Sequence, residues 1–328
     1  MAGTLDPDAL VPPAARVAIL SWYAAHGRRL AFRATRDPYA VLVSEMMAQQ
    51  TQAARAAEAW TAWTTRWPTA ADLAAAPLAA VLRAWAGLGY NRRALALHRA
   101  AQTIVADYGG RVPRDADALR RLPGVGPYTA RAVAAIAFDE PVGAVDTNVR
   151  RVLGRIAAGG PGALTDRAAQ ALADAVVPRD EAAAWTHALM DVGALLCAPR
   201  SPVCSKCPAA PWCRYAAGER AGDSRRVAPR QSRPALRFRA TTRWLRGRVL
   251  QRAREARDGE WVEFPDAIGE HRPAAVREAV QALAAEGLLE ARDAAGAIEA
   301  RLPATAPGHS AGSGRGGGPG APVPPRSS

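Results

Sequence analysis

Four cysteines, Cys197, Cys204, Cys207 and Cys213, stand close together and are the whole complement of the chain. Their spacing is C-x6-C-x2-C-x5-C, and Pro199, Pro202, Pro208 and Pro211 stiffen the loop around them. Four thiolates so near in sequence can enclose a single metal centre; zinc and a [4Fe-4S] cluster both suit such a donor set. Two carboxylates are the other candidates for chemistry. Glu45 falls with Leu42, Met46 and Gln49 at i, i+3, i+4 and i+7, so a carboxyl group shares a helix face with large apolar side chains. Burial of that face would keep a proton on Glu45 near neutral pH; a place at the edge of the stripe would let it reach water, the commoner fate of a charged side chain. Asp146 stands just before an apolar helical run, the position of an N-cap.

The elements that must position these residues centre on Leu119 to Ile156. This stretch reads as helix, glycine turn, helix, loop, helix. Leu119 and Leu122 close the first helix, Gly124 and Gly126 supply backbone freedom, and Pro127 opens the next helix. Such a turn presents bare amides at a helix N-terminus, which hold a phosphate without reading sequence. Taken alone, Leu122-Pro123-Gly124-Val125-Gly126 is also an ordinary connection between helices. A polar run, Gln49-Gln50-Thr51-Gln52, interrupts an apolar helical region and suits either base edges or an exposed helix end. A second glycine turn, Gly87-Leu88-Gly89-Tyr90-Asn91-Arg92-Arg93, offers Leu88 and Tyr90 as wedges into a base stack and two arginines for phosphates; a buried turn with Tyr90 in the core is the alternative.

The remaining periodicity is helical. Helices are expected over Ala14 to His26, from Pro38 onward, over Ala53 to Trp67, Pro77 to Trp85 and Ala94 to Tyr108, then over Thr165 to Val177 and Glu181 to Leu196. Trp60, Trp63, Trp67 and Trp85 suit helical cores. Arg237 to Leu302 forms a separate small unit, with helices over Trp244 to Arg254 and Pro273 to Glu286 and a possible strand after Leu289, weakly like a winged helix. Pro303 to Ser328 is rich in Gly, Pro and Ser and reads as disordered.

With 328 residues the chain can bury a large core and suggests about two domains plus extensions. Its formal charge of +13 suits a polyanionic partner, although Lys206 is its only lysine and a general bias toward arginine would supply part of that charge. Charged residues interrupt every apolar run before a membrane span is reached, and no secretory signal opens the chain. A cytosolic protein is expected, where clustered cysteines favour metal over disulfides.

Together these motifs resemble the MutY family of adenine DNA glycosylases, within the endonuclease III superfamily, over roughly residues 15 to 215. The likeness rests on Ser44-Glu45 with Gln49 to Gln52, Gly87 to Tyr90, Leu122 to Ala130, Val145-Asp146 with Asn148, and the cysteine spacing. It implies an all-α, two-lobed helix-hairpin-helix fold: a flexible arm (1–12), a cluster lobe (13–36 and 147–216), a six-helix lobe (37–146), a basic linker (217–236), the small winged-helix-like unit (237–302) and a disordered tail (303–328). It implies a [4Fe-4S] cluster rather than zinc, and a monomer whose partner is double-stranded DNA carrying A opposite 8-oxoguanine or G.

By the same resemblance Glu45 protonates a flipped adenine at N7 while Asp146 stabilises the developing sugar cation, with Tyr128 and Asn148 orienting them. Gln49, Gln50, Thr51, Leu88, Tyr90, Leu122, Gly124, Val125 and Gly126 are the implied DNA contacts, and Arg28, Leu30, Arg33 and His187 the implied base pocket. Tyr128 stands where strand-cutting relatives carry Lys, so little lyase activity is expected. The chain departs from the family pattern at Leu30-Ala31-Phe32-Arg33, Thr147 and His187, and Arg237 to Leu302 is too short for the usual Nudix-like domain. A thymine or uracil mismatch glycosylase of the same fold is the alternative, and a non-catalytic DNA-binding protein the second.

Overall fold

The computed structural model describes residues 6–220, 237–294 and 296–303. Most of the basic linker and the tail beyond residue 303 lie outside the described residues. Fifteen α-helices are present among them: α1 (Pro7–Leu10), α2 (Pro13–His26), α3 (Pro38–Ala48), α4 (Ala53–Arg66), α5 (Ala70–Ala75), α6 (Leu78–Ala84), α7 (Arg92–Tyr108), α8 (Ala116–Arg120), α9 (Pro127–Phe138), α10 (Thr147–Ala158), α11 (Asp166–Val176), α12 (Ala182–Asp191), α13 (Arg214–Arg220), α14 (Thr242–Glu255) and α15 (Pro273–Ala285). Three short strands, β1 (Val262–Phe264), β2 (Glu290–Ala294) and β3 (Ala297–Arg301), form an antiparallel sheet in the order β1-β3-β2. The fold is mostly helical, as expected, and the single expected strand is a three-stranded sheet packed on α15. No described helix is long and apolar enough to cross a membrane.

Several expectations need revision. The residues 6–12 do not trail as an arm: Asp6 caps α1 through the Asp8 amide, and Val11 is fully buried. Seven helices, α3 to α9, lie within residues 37–146 rather than six, the additional one being the short α5, closed by a Thr69–Asp72 capping box. The helix expected over Glu181 to Leu196 is α-helical only to Asp191 and continues as a π-helical turn, Val192–Leu196.

Two apolar cores organise the chain. One gathers α3 to α9 around Trp63, Trp67 and Trp85, whose rings meet edge to face. The other joins α2 and α10 to α13 around Trp185 and the cysteine loop. Helix α9 connects them, burying Val133 in the first core and Ala135 in the second.

Helix α3 is the centre of the first core. Every residue from Tyr39 to Met47 is buried, so the helix has no solvent face. Asp37 accepts from the Ala40 amide at 2.7 Å and fixes its start. Its end is held by Arg93, whose guanidinium donates to the carbonyls of Met46 and Gln49 at 2.7 and 2.6 Å. The same guanidinium reaches the Leu88 and Gly89 carbonyls at 3.1 and 3.2 Å and so ties the second glycine turn to α3.

The two hairpin glycines differ. Gly124 adopts φ +77°, and a Cβ there would sit 2.6 Å from the Ala96 Cβ and 3.0 Å from the Met46 Cε. Gly126 has φ −84° and ψ 175° and open space where a side chain would go, so its conformation does not require glycine. Gly124→Ala therefore adds αL strain to overpacking, and a loss of about 2 kcal/mol is expected in denaturant melts. Gly126→Ala is expected to stay within about 0.5 kcal/mol of the parent.

Candidate active site

An open cavity of about 820 Å3 lies at the seam between the two cores. Glu45 reaches it from α3, Tyr128 from the first turn of α9, Asp146 and Asn148 from the start of α10, and His187 from α12. Arg28, Leu30 and Arg33 line another wall. Gln49, Gln50 and Thr51 form the rim.

Glu45 is 8% exposed. The Tyr128 hydroxyl donates to its Oε2 at 2.9 Å. Burial pushes the Glu45 pKa up to about 7; the Tyr128 hydrogen bond and the Arg33 charge oppose this, and the Asp146 charge adds to it. Burial and the neighbouring Glu45 and Asp146 charges hold the Tyr128 phenol well above its ordinary range, so it stays a neutral donor. Glu45 does not stand at the wet edge of an apolar stripe, because every residue of α3 from Tyr39 to Met47 is buried.

Asp146 is both an N-cap and a cavity residue. Its Oδ1 accepts from the Val149 amide at 2.7 Å and its Oδ2 from Asn148 Nδ2 at 3.0 Å. Asn148 Oδ1 in turn accepts from Arg151 at 2.7 Å, and Arg151 Nε donates to the Cys197 carbonyl at 2.7 Å. Gly193 permits this packing, since a Cβ there would lie 2.6 Å from the Asn148 Cβ. A continuous chain of hydrogen bonds thus runs from the cavity carboxylate to the cysteine loop.

The wall formed by Arg28 and Arg33 depends on a residue that sequence reasoning missed. Asp191 is fully buried. It accepts from the Arg28 amide and Nε at 2.8 and 2.6 Å, and from Arg33 at 2.7 and 2.9 Å. Burial alone would raise its pKa, but the arginine hydrogen bonds and charges hold it below the ordinary carboxylate range. His187, one turn earlier on α12, is driven down to about 3 by burial and the Arg33 and Arg28 charges, and is neutral at physiological pH. The signal for Asp191 was present: an acid among Trp185, Ala188, Leu189 and Val192, the same pattern that singled out Glu45. Arg151 was also missed, since nothing in its spacing distinguishes it from a solvated arginine; Arg93, expected to hold a phosphate, instead has its guanidinium on the carbonyls of Met46, Gln49, Leu88 and Gly89.

The four cysteines converge on one small pocket, with Val152, Ile156, Val192, Leu196 and Tyr215 as its apolar wall. No disulfide joins them. Arg155, itself 2% exposed, donates to the Cys197 Sγ at 3.2 Å and to the Cys197, Ala198 and Pro199 carbonyls, and stacks over the Tyr215 ring at 4.7 Å. Four cysteine sulfurs around one cavity, beside the Arg155 guanidinium, are a donor set that suits a zinc ion or an iron–sulfur cluster.

Other expected DNA contacts lie apart from the cavity. Leu122 and Val125 are buried in the first core, so the hairpin offers its backbone and not these side chains. Leu88 is 4% exposed and does not project as a wedge. Tyr90 is exposed with φ +45°, and with Leu88 it lines a separate groove. Gln49 donates to the buried Thr129 hydroxyl at 3.0 Å, linking the ends of α3 and α9, while Gln50, at φ +53°, is exposed.

Comparison with known proteins matches residues 43–178 to the HhH-GPD superfamily base excision DNA repair protein family. The adenine DNA glycosylase of Mycolicibacterium smegmatis is 41% identical over 278 residues, 84% of this chain and 92% of that protein. Among solved structures, a thermostable thymine-DNA glycosylase is 33% identical with TM-score 0.58, over 62% of this chain and 94% of that one. A trapped endonuclease III–DNA covalent intermediate is 25% identical with TM-score 0.56, over 66% and 100%.

The cavity makes one prediction independent of any reaction. Glu45 has a folded pKa of about 7 against an ordinary value of 4.5, so between those values the folded state binds more protons and stability falls as pH rises. Glu45→Gln removes that dependence. The variant should gain stability over the parent progressively from about pH 5 to 7, reaching on the order of 2–3 kcal/mol, and the gain should level off above. Urea melts at a series of pH values check it.

Proposed function

We propose, from the premise that this chain belongs to the HhH-GPD superfamily of base excision DNA repair proteins, that it is an adenine DNA glycosylase acting on A opposite 8-oxoguanine or G. The observation that carries this is a protonatable Glu45 and a capped Asp146 facing one cavity, in a chain 41% identical to an adenine DNA glycosylase across nearly all of that protein.

The base leaves the stack to reach the cavity. Glu45, half protonated near pH 7, gives its proton to the adenine ring and neutralises the departing base. Asp146, an anion at the N-terminus of α10, faces the cation that develops at C1′ of the sugar, with Asn148 fixing its second oxygen. This is the division of labour of two carboxyl groups flanking a glycosidic bond, made workable by unlike surroundings. Tyr128 holds Glu45 and stays neutral. A phenol forms no Schiff base with the sugar, and Lys206, the only lysine, lies in the cysteine loop. Base removal without strand cleavage follows.

Cys197, Cys204, Cys207 and Cys213 would hold a [4Fe-4S] cluster, which when bound supplies a covalent clamp on the loop and a redox-capable centre. Arg155 and Arg151 then fasten that loop to α10. The likeness to a thymine-DNA glycosylase supports the alternative substrate, and the same assay decides between them.

Duplexes with A, T or U opposite G and opposite 8-oxoguanine are incubated with excess protein, then treated with alkali. Release of adenine is expected, with no strand breaks before alkali and a rate that falls as Glu45 loses its proton above about pH 7. Glu45→Gln should slow release at least about 100-fold while mismatch binding is kept; thymine release in place of adenine would reassign the substrate. Purified protein should also carry iron and sulfide and absorb near about 400 nm, and zinc in their place would refute the cluster.

A further inference from the structure

The cavity that holds Glu45 has a neighbour. A shallower pocket of about 510 Å3 lies on the outer face of the wall formed by Arg28, Leu30 and Arg33, and those three side chains line both spaces. Its other sides come from the end of α2, through Tyr23 and Ala24, and from the loop that follows, through Gly27, Arg29 and Ala34. A Cβ at Gly27 would lie 2.6 Å from the Tyr23 Cε2, so the missing side chain lets that ring lie along the loop. The Tyr23 and His187 rings stand 6.2 Å apart, the first in the outer pocket and the second in the cavity. The partition between the two spaces is thus only one or two side chains deep.

The parts of this partition are not equally fixed. Arg28 and Arg33 are gripped by the buried Asp191 through hydrogen bonds of 2.6 to 2.9 Å. Leu30 stands between them in sequence, and its side chain packs on the first core through apolar contacts. A rotamer change there breaks no polar contact, whereas moving either arginine would strip a buried carboxylate of its partner. None of Gln49, Gln50 and Thr51, which rim the cavity, lines the outer pocket, and neither does any residue of the glycine hairpin. Among the described residues no acidic side chain lines it, and Tyr23 and Arg29 offer flat groups on which a purine stacks.

We propose that the outer pocket is the exit for the excised base, reached past Leu30 while the DNA strand still covers the mouth of the cavity. The inference rests on the glycosylase reading given above and adds a route to it. A flipped nucleotide stays joined to its strand through the sugar, so that strand lies across the rim for as long as the DNA is bound. Once the bond to C1′ breaks, the base is enclosed between the sugar and the partition of Arg28, Leu30 and Arg33. Without a second opening it would stay there until the DNA departs. Having taken its proton from Glu45 it leaves as a flat neutral purine, a shape that slides past an aliphatic side chain and rests on the Tyr23 ring.

Separate clocks on one reaction test this. A duplex labelled in its adenine base, opposite 8-oxoguanine, is mixed with excess protein. Aliquots treated with alkali time bond cleavage, rapid ultrafiltrates time the appearance of free base, and gel shifts time the departure of the DNA. In the parent, free base should appear within about twofold of the cleavage half-time, while the DNA is still bound. The full-length variant Ala24→Trp/Ala34→Trp fills the outer pocket from exposed positions that do not line the cavity. Its cleavage rate should match the parent's, and its free base should appear at least about tenfold later, together with DNA departure. Ala71→Trp, at an exposed site on α5 that lines neither space, should leave every clock unchanged. Free base that appears only with DNA departure in the parent, an unchanged lag in the double variant, or an equal lag in Ala71→Trp would overturn the proposal. Cleavage and base release are read separately. Duplexes that never become alkali-labile refute the glycosylase reading and this exit with it, whereas labile sites formed on schedule without the change in lag refute the exit alone.

Discussion

The hydrogen bond between the Tyr128 hydroxyl and Glu45 is the constraint on which the site depends. A carboxyl group enclosed on α3 is costly as an anion, and the surroundings meet that cost by making its protonated form accessible near neutrality. Tyr128 moderates the effect. By donating to the carboxylate it keeps Glu45 from becoming a permanent acid, and burial together with the neighbouring charges keeps its own proton in place. The pair thus holds one exchangeable proton at a fixed point in the cavity wall, which is what protonation of a leaving base requires. Because Tyr128 sits in the first turn of α9 and Glu45 near the end of α3, the packing of these two helices sets the distance.

The opposite wall is built on the reverse logic. Asp191 is buried as an anion because two arginines surround it, one through both its amide and its side chain. Breaking such a group by removing one partner is expensive, so Arg28 and Arg33 are held in one arrangement. Burial and then their charges keep His187 neutral, and that of Arg33 draws the Glu45 pKa back down. The α-helix gives way to a π-helical turn directly after Asp191. That turn carries Gly193, whose carbonyl accepts from Arg151 and whose missing side chain admits Asn148. One short segment therefore shapes both the base wall and the seat of Asp146.

Much of this was legible in residue types and spacing, and the failures have identifiable causes. The cysteines needed only their spacing, and Asp146 showed itself as an N-cap, which it is, without revealing that the cap faces a cavity. For Glu45 spacing could not decide, because a stripe argument supposes one wet face and α3 has none. Asp191 carried the same signal and was overlooked because no motif surrounds it. Gly124 and Gly126 look alike in sequence and differ in structure, since only the first meets Ala96 and Met46. Leu88 and Tyr90 were paired as wedges, yet one packs into the core and the other meets Arg243, a contact across 153 residues that no local pattern contains.

Helix α10 joins the two centres in a way that limits what the cysteine loop does for the chemistry. Its N-cap is Asp146, its first turn carries Asn148, and Arg151 and Arg155 follow at one-turn intervals toward Cys197. Arg151 has its acceptors at the Cys197 and Gly193 carbonyls and at Asn148 Oδ1 together, so the loop has to keep its place for Asn148 to be held. Asn148 in turn supplies the second hydrogen bond to Asp146, the first coming from the helix amide at Val149. A disordered loop would leave the amide bond intact and remove only the orientation of the carboxylate. The loop therefore governs where the Asp146 carboxylate points, a mechanical role for a four-cysteine loop lying toward the far end of α10.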